Sequence, residues 1–380
     1  MKSALINGRV FDGVELHTGL AVIVEGGRIL ELLPERDLAG TFENNWDLDG
    51  HILAPGLIDI QVNGGGGVMF NHAPTLETLR SIGAAHRRFG TTGFLPTLIS
   101  TDFDTMKQAI ETVRQALLEG IPGVLGIHLE GPYLNADNSG IHDAETFCRI
   151  DEAAFKLLTS LDQGCTLVTI APELTTAEMI SRLASSGVKV FGGHSSASYE
   201  QTRQALQAGM TGFTHLFNAM QPFTSRVPGM VGAALEDPES WCGIIADGKH
   251  VHPASLAVAV AAKRTGRMLL VTDAMATVGS DIENFEFDGM EIKVADGCCR
   301  TASGQLAGSA LDMISAVRNA AEFANIDSFE ALRMASSYPA QALDLGGQLG
   351  FIRPGFKASF IEIDDDLNLY RSWIDGEVSA

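Results

Sequence analysis

Eight short apolar runs, most of them followed by a stretch with helical periodicity, constrain this chain more than any other feature. The runs span 56–59, 93–97, 123–128, 166–171, 188–192, 212–215, 243–246 and 268–272. None alternates polar with apolar residues, which is the pattern of strands buried on both faces. Helical segments are expected at 76–89, 103–118, 152–161, 177–186, 199–208 and 254–265. A glycine stands just beyond most of them, the usual stop signal. Thr175 with Glu178, and Ser198 with Gln201, have capping-box spacing. Roughly eight such units in about 290 residues is the size of a (β/α)8 barrel. A doubly wound sheet alternates in the same way, so the count alone leaves both architectures open.

The two ends of the chain read differently. Runs at 3–7, 20–25 and 28–33 are short, rich in Val, Ile and Leu, and separated by Asn-Gly or Gly-Gly turns. Glu25-Gly26-Gly27-Arg28 has the form of a hairpin turn. Similar runs recur at 350–352, 358–363 and 368–373. The β-rich head and tail are each too short to stand alone, and together they suffice for one small β-domain.

The 380 residues carry a net charge of −21, which excludes a nucleic-acid-binding face and repels anionic membrane surfaces. Local cations still suffice to hold one phosphate. The N-terminal segment lacks the apolar core of a signal peptide, and no run reaches the ~18 apolar residues of a membrane span. The five cysteines show no Cys-x-x-Cys pair and read as reduced, cytosolic thiols. Cys165 and Cys242 begin apolar runs and are expected in the core. Cys298 and Cys299 lie in a polar stretch and are expected to be more exposed.

The chemistry sits at strand ends. His128, His194 and His215 each end an expected strand, Glu130 follows the third, and Asp273 follows the eighth. In a barrel the carboxyl ends of all strands meet on one face. Glu130, His194, His215 and Asp273 would therefore converge there. Two imidazoles with one carboxylate form a zinc ligand set with a fourth position open, and a spare carboxylate can move the proton. A single histidine at a strand end is more often a hydrogen-bonded structural residue; the group makes the case. Asn63-Gly64-Gly65-Gly66-Gly67 lacks the Gly-Lys-Ser/Thr ending of a phosphate loop and reads as a tight turn with close backbone approach. Gly193-His194-Ser195-Ser196-Ala197 is not a nucleophile elbow, which argues against a serine hydrolase.

Six segments carry a family resemblance: APGLIDIQVNGGGG (54–67), HLEGPYL (128–134), GGHSSAS (192–198), THLFNAM (214–220), ADGKHVHP (246–253) and VTDAM (271–275). In order and spacing the chain resembles the N-acetylglucosamine-6-phosphate deacetylases of the amidohydrolase superfamily, over nearly its whole length. The resemblance implies an α/β fold: a (β/α)8 barrel at 53–345, with a small β-sandwich domain formed by both termini, 1–52 and 346–380. It implies hydrolysis of N-acetyl-D-glucosamine 6-phosphate to D-glucosamine 6-phosphate and acetate, in the cytoplasm. Glu130, His194 and His215 resemble the ligands of one Zn2+ per subunit, a site that other divalent metals also suit. Asp273 resembles the general base and acid. His142 resembles the histidine that contacts the sugar and polarises the acetyl carbonyl. Asn218 and Ala219 would contact substrate, Arg226 and His250 would hold the phosphate, and Leu306, Ala307 and Gly308 would cover the sugar. A phosphate contact from a neighbouring subunit implies a homodimer.

The chain departs from the wider superfamily at one place. Where many members carry His-x-His after the first strand and bind a second metal, it reads Gln61-Val62-Asn63. Amides are poor zinc ligands beside imidazole, so one tightly held metal is expected, with Gln61 or Asn63 holding water or substrate. Three rival readings are a deacetylase for the galactosamine epimer, a cyclic-amide hydrolase and an inactive barrel used as a binding protein. The first differs at one hydroxyl. The second usually needs the paired-metal His-x-His and a lysine on the fourth strand, which 166–171 lacks. The third would show a lost ligand, and none is lost.

Overall fold

The computed structural model describes residues 2–295 and 297–379. Eight parallel strands form one sheet in chain order: Leu57–Val62, Thr91–Ile99, Gly126–Glu130, Cys165–Ile170, Lys189–Gly192, Gly212–Phe213, Trp241–Ile244 and Met268–Leu270. They are called barrel strands one to eight below. Each falls on one of the eight apolar runs, and a barrel, not a doubly wound sheet, results. The core residues between strands and helices form one cluster that includes Ile58, Leu129, Val168, Val190 and Leu269.

Strands eight and one share no regular ladder. The seam is closed by single contacts: an isolated bridge pairs Val62 with Ala274, and the Asp273 amide donates to the Gln61 carbonyl at 3.0 Å. Beneath them the buried Asp59 carboxylate accepts from the amides of Gln61 (3.1 Å) and Thr272 (3.3 Å) and from the Thr272 hydroxyl. Burial pushes Asp59 up to about 7 despite these donors.

The six expected helices form, at Leu76–Arg87, Phe103–Glu119, Glu152–Leu158, Ala177–Ser185, Tyr199–Gln207 and Pro253–Ala262. The capping box at Ser198 and Gln201 is present. The other is not as expected: Thr176, one residue later than Thr175, is the cap that accepts from Met179 N. Helices at Gly229–Glu236 and Met313–Ala324 complete the outer layer at places the sequence reading left blank.

Head and tail do pair. Lys2–Ile6, Leu20–Glu25, Arg28–Pro34 and Asn44–Asp47 form a four-stranded sheet, with Glu25 opposite Arg28 at the expected hairpin. Arg9–Phe11, Leu16–Thr18 and Ile52–Pro55 join Phe360–Ile363, Leu369–Ile374 and Glu377–Val378 in a six-stranded one. Leu5, Val22, Leu53, Phe360 and Trp373 pack together in a second core. No strand forms at 350–352, and residues 1 and 380 lie outside the described residues.

One element was not anticipated. Asn284–Phe287, Met290–Ala295, Cys298–Thr301 and Leu306–Ser309 form an antiparallel sheet inserted after strand eight. Phe287, Ile292, Cys299 and Ala307 pack with Met69, Ile99 and Met275 at the barrel mouth. This corrects the expectation for Cys298 and Cys299, which are buried. Cys299 lies on the face its strand turns to that apolar cluster, which a polar sequence context concealed. Among the described residues no helix is long and apolar enough to cross a membrane.

Candidate active site

Non-glycine residues with left-handed backbone gather at the carboxyl ends of the strands: His194 (φ 48°), His215 (φ 30°), Phe217 (φ 78°), Ala219 (φ 51°) and Asp273 (φ 53°). Such conformations cost energy, and surrounding structure must hold them. Here the holding contacts are visible. Glu173, just past strand four, accepts from Ser195 Oγ (2.6 Å), the Ser196 amide (2.7 Å) and Asn135 Nδ2 (2.9 Å). It ties the loop after strand three to the loop after strand five. The Ser195 amide donates to the Ala219 carbonyl at 3.1 Å, which ties in the loop after strand six.

Glu130, His194 and His215 meet at one point. Glu130 Oε1 lies 3.3 Å from His194 Nε2 and 2.9 Å from His215 Nε2, and the two nitrogens are 3.0 Å apart. Donor atoms about 2.0–2.1 Å from a tetrahedral ion stand about 3.3 Å from one another, so the trio fits one small cation. Among the described residues it is the one cluster of three such groups. His194 Nδ1 lies 2.8 Å from the Asn138 carbonyl oxygen, an acceptor. That nitrogen therefore carries the proton, and Nε2 turns its lone pair to the site. Burial pushes the Glu130 carboxyl up, but the His194 and His215 imidazoles beside it outweigh burial and hold it well below the usual range. His215 is raised: Glu130 overcomes the effect of burial.

Asp273 faces this trio from strand eight. Its Oδ1 accepts from Asn63 Nδ2 at 2.7 Å and from Gln61 Nε2 at 3.1 Å. The same Gln61 nitrogen donates to both Glu130 oxygens, at 3.1 and 3.2 Å. The amides of Gln61 and Asn63 thus bind carboxylates, while Asn63 also lines the cavity and its Oδ1 meets no partner among the described residues. Burial and the nearby Glu130 charge push Asp273 up to about 6. His142 is neutral, since burial above all holds it well below its ordinary value. The Ser100 amide and hydroxyl stand 3.3 and 2.7 Å from its Nδ1. An amide can only donate, so Nδ1 accepts and Nε2 carries the hydrogen. His128 is not part of this group. It is bonded to Thr97 (3.1 Å) and Thr169 (2.8 Å) inside the barrel, and burial lowers it to about 4.

A cavity of about 510 Å³ opens over these residues. Glu130, His142, His194, His215, Asn218, Ala219, His250, Asp273, Leu306 and Gly308 all line it. His250 Nδ1 is 2.6 Å from Asp247 Oδ2, which orients the ring. Gly308 needs its missing side chain: at φ 63° a Cβ would stand 2.6 Å from Met275 Cγ. Ala307 is buried in the apolar cluster behind the wall. Arg226 lies outside the cavity, on an exposed segment that also carries Phe223 (57% exposed) and Val227 (64%). Sequence reasoning missed Glu173, Ser100 and Arg300. The first two act through other residues, and Arg300 lines the cavity from the unanticipated sheet.

Comparisons with known proteins agree in kind. A model of the Amidohydrolase family matches residues 52–378, and one of the NagA composite domain matches 3–53. An N-acetylgalactosamine-6-phosphate deacetylase of Shewanella sp. (strain ANA-3) is 46% identical over 88% of this chain and 84% of its own. An N-acetylglucosamine-6-phosphate deacetylase of Haemophilus influenzae is 36% identical over 93% of each. The crystal structure of N-acetylglucosamine-6-phosphate deacetylase from Pasteurella multocida superposes with a TM-score of 0.96, at 35% identity and full coverage of both chains.

Proposed function

The chain belongs to the amidohydrolase family, and on that premise we propose that it is a metal-dependent deacetylase converting N-acetyl-D-glucosamine 6-phosphate to D-glucosamine 6-phosphate and acetate. The observation that carries the reading is the convergence of Glu130, His194 and His215 opposite a raised Asp273 in one cavity. Glu130 Oε1 and the two Nε2 atoms would hold the metal, and Zn2+ suits this donor set. When bound, such an ion supplies Lewis acidity toward a carbonyl and makes water more acidic.

The protein's own groups do the rest. Asp273, held on Oδ1 by Asn63 and Gln61, keeps Oδ2 for the attacking water and takes its proton there. His142 donates from Nε2 to the acetyl oxygen as charge develops on it. Asp273 then returns the proton to the amide nitrogen, which leaves poorly unless protonated. Asn218, Ala219, Leu306 and Gly308 border the sugar, with Ala307 backing that wall from the apolar cluster, and His250 meets the phosphate. Holding a phosphate remote from the reacting bond orients that bond, which is how a non-reacting group can raise the rate. Arg226 serves a neighbouring subunit in a homodimer, and its exposed neighbours Phe223 and Val227 support an interface there. Residues 1–52 with 346–380, joined by the strand Ile52–Pro55, act as one β-domain and the rest of 53–345 as the catalytic barrel. A cytoplasmic location accords with cysteines that form no disulfide among the described residues.

The 46% identical relative favours a second reading, in which the galactosamine epimer is the better substrate. Acetate release from both 6-phosphates, with metal analysis of the same preparation, tests both readings. Turnover of neither sugar by metal-loaded protein refutes them, and the ratio of kcat/KM ranks the epimers.

A further inference from the structure

The cavity contains one fixed positive charge with no role assigned to it. Arg300 lies on the strand Cys298–Thr301 of the inserted sheet, and among the described residues it is the one lysine or arginine that lines the cavity. It pairs across the ladder with Leu306, so it shares a hairpin with Leu306 and Gly308. Its Nη1 donates to the Gly304 carbonyl at 2.9 Å, which anchors the guanidinium across the turn. The Cys298 thiol is its other partner, and both are neutral.

Arg28, Arg88 and Arg318 also rest on backbone carbonyls, but Arg300 does so on the wall of the cavity. Acidic residues outnumber basic ones by 47 to 26. Arg9, Arg114, Arg182, Arg264 and Arg371 each meet a carboxylate. Among the described residues Arg300 meets none. A guanidinium has five donors in a planar fork, suited to two oxygens of one anion. Directed into a cavity with most of that fork unused, it is a receptor for an anion the protein does not supply.

A second element approaches the same part of the mouth. His250 lines the cavity, with its Nδ1 on Asp247. Arg300 and His250 thus line one cavity, the first from the inserted hairpin and the second from the turn held by Asp247. We propose that Arg300 binds the substrate's 6-phosphate within its own chain, beside His250, and sets the preference for phosphorylated over unphosphorylated sugars. The inference rests on the reading of the substrate as a 6-phosphorylated sugar. It differs from the role given to Arg226, which reaches a phosphate only across a subunit interface.

The test uses the metal-loaded full chain as wild type, R300M and R300K, with N-acetylglucosamine 6-phosphate and with N-acetylglucosamine. R300M is expected to raise KM for the phosphorylated sugar about 10- to 100-fold, the worth of a hydrogen-bonded charge pair. Its kcat/KM on the unphosphorylated sugar should stay within about twofold. R300K should recover part of the loss, since a lysine keeps the charge without the fork. An unchanged preference in R300M overturns the proposal, and so does an equal loss on both sugars. Calorimetric titration with D-glucosamine 6-phosphate and D-glucosamine reads the same preference without turnover. Wild type that releases no acetate therefore sinks the deacetylase reading, while the titration still decides the arginine.

Discussion

The barrel mouth has two flanks that use the same strand-end geometry for opposite purposes. Strands three, five and six contribute Glu130, His194 and His215, whose donor atoms crowd to within 2.9–3.3 Å and suit a cation. Strands one and eight contribute Gln61, Asn63 and Asp273 at the same height, and there the contacts are amide to carboxylate. The first flank holds its carboxylate low and the second holds its carboxylate high, at about 6. Amides in place of imidazoles on strand one make the difference. Among the described residues no second group of three His, Cys, Asp or Glu side chains gathers on that flank, and burial with the Glu130 charge raises Asp273 to about 6, a value suited to the proton transfer proposed for it. On the proposed function, one metal and one mobile proton require the two flanks to differ.

Substitution on the first flank should break the comparison most completely. His194→Ala or His215→Ala is expected to bring metal content from about one per chain to near zero, with activity down about 1000-fold or more. Elemental analysis beside an acetate assay would show both. If either variant keeps its metal, the first flank is not the cation site.

On the second flank, Asp273→Asn should lower turnover about 100- to 10,000-fold and leave metal content unchanged. Single-turnover kinetics on metal-loaded protein checks this, and loss of metal would merge the two flanks into one. The pH profile carries a related expectation. Asp273 must be ionised to accept a proton, so activity falls as pH drops through its raised value, about 6 in the metal-free chain. A cation bound nearby moves that limb downward.

Asn63→Ala sharpens the comparison. Its hydrogen bond lowers Asp273, so its removal should move the acid limb to higher pH and cost about tenfold in rate. An unmoved limb would mean that Asn63 does not tune the carboxylate.

The smallest effect is on stability, below the mouth. Folded Asp59, raised to about 7, keeps a proton that the unfolded chain releases near pH 4. The stability this contributes is fully present below that pH and is lost as pH rises toward 7. Asp59→Asn removes the slope. Denaturant midpoints at pH 5 and pH 8 should separate wild type from the variant by on the order of 1 kcal/mol. Parallel pH dependence would contradict the assignment.

The sequence is legible where burial is two-sided. Runs such as 166–171 and 188–192 are apolar without alternation because helices cover one face and the barrel interior the other. It is less legible at the inserted sheet, where Asn284–Phe287 and Met290–Ala295 bury only alternate residues against the mouth. That one-sided burial left Cys299, which packs in the apolar cluster, looking exposed. In the site, Glu130, His194, His215 and Asp273 were readable because strand ends converge whatever the loops do. Glu173 and Ser100 were not, since an acid or a serine that holds another residue has no spacing of its own. A lone Arg300 in a hairpin gave no signal until the fold turned it into the cavity. The carboxylate contacts of Gln61 were missed for a related reason: an amide suits water, substrate or carboxylate equally well on paper.

Anomalous scattering from a crystal of the metal-loaded protein bears most directly on the two-flank account. The account predicts a single peak, within bonding distance of Glu130 Oε1 and the Nε2 atoms of His194 and His215, with Gln61 and Asn63 free of metal. A fully occupied peak against Gln61 or Asn63, or no peak at the trio, would contradict it.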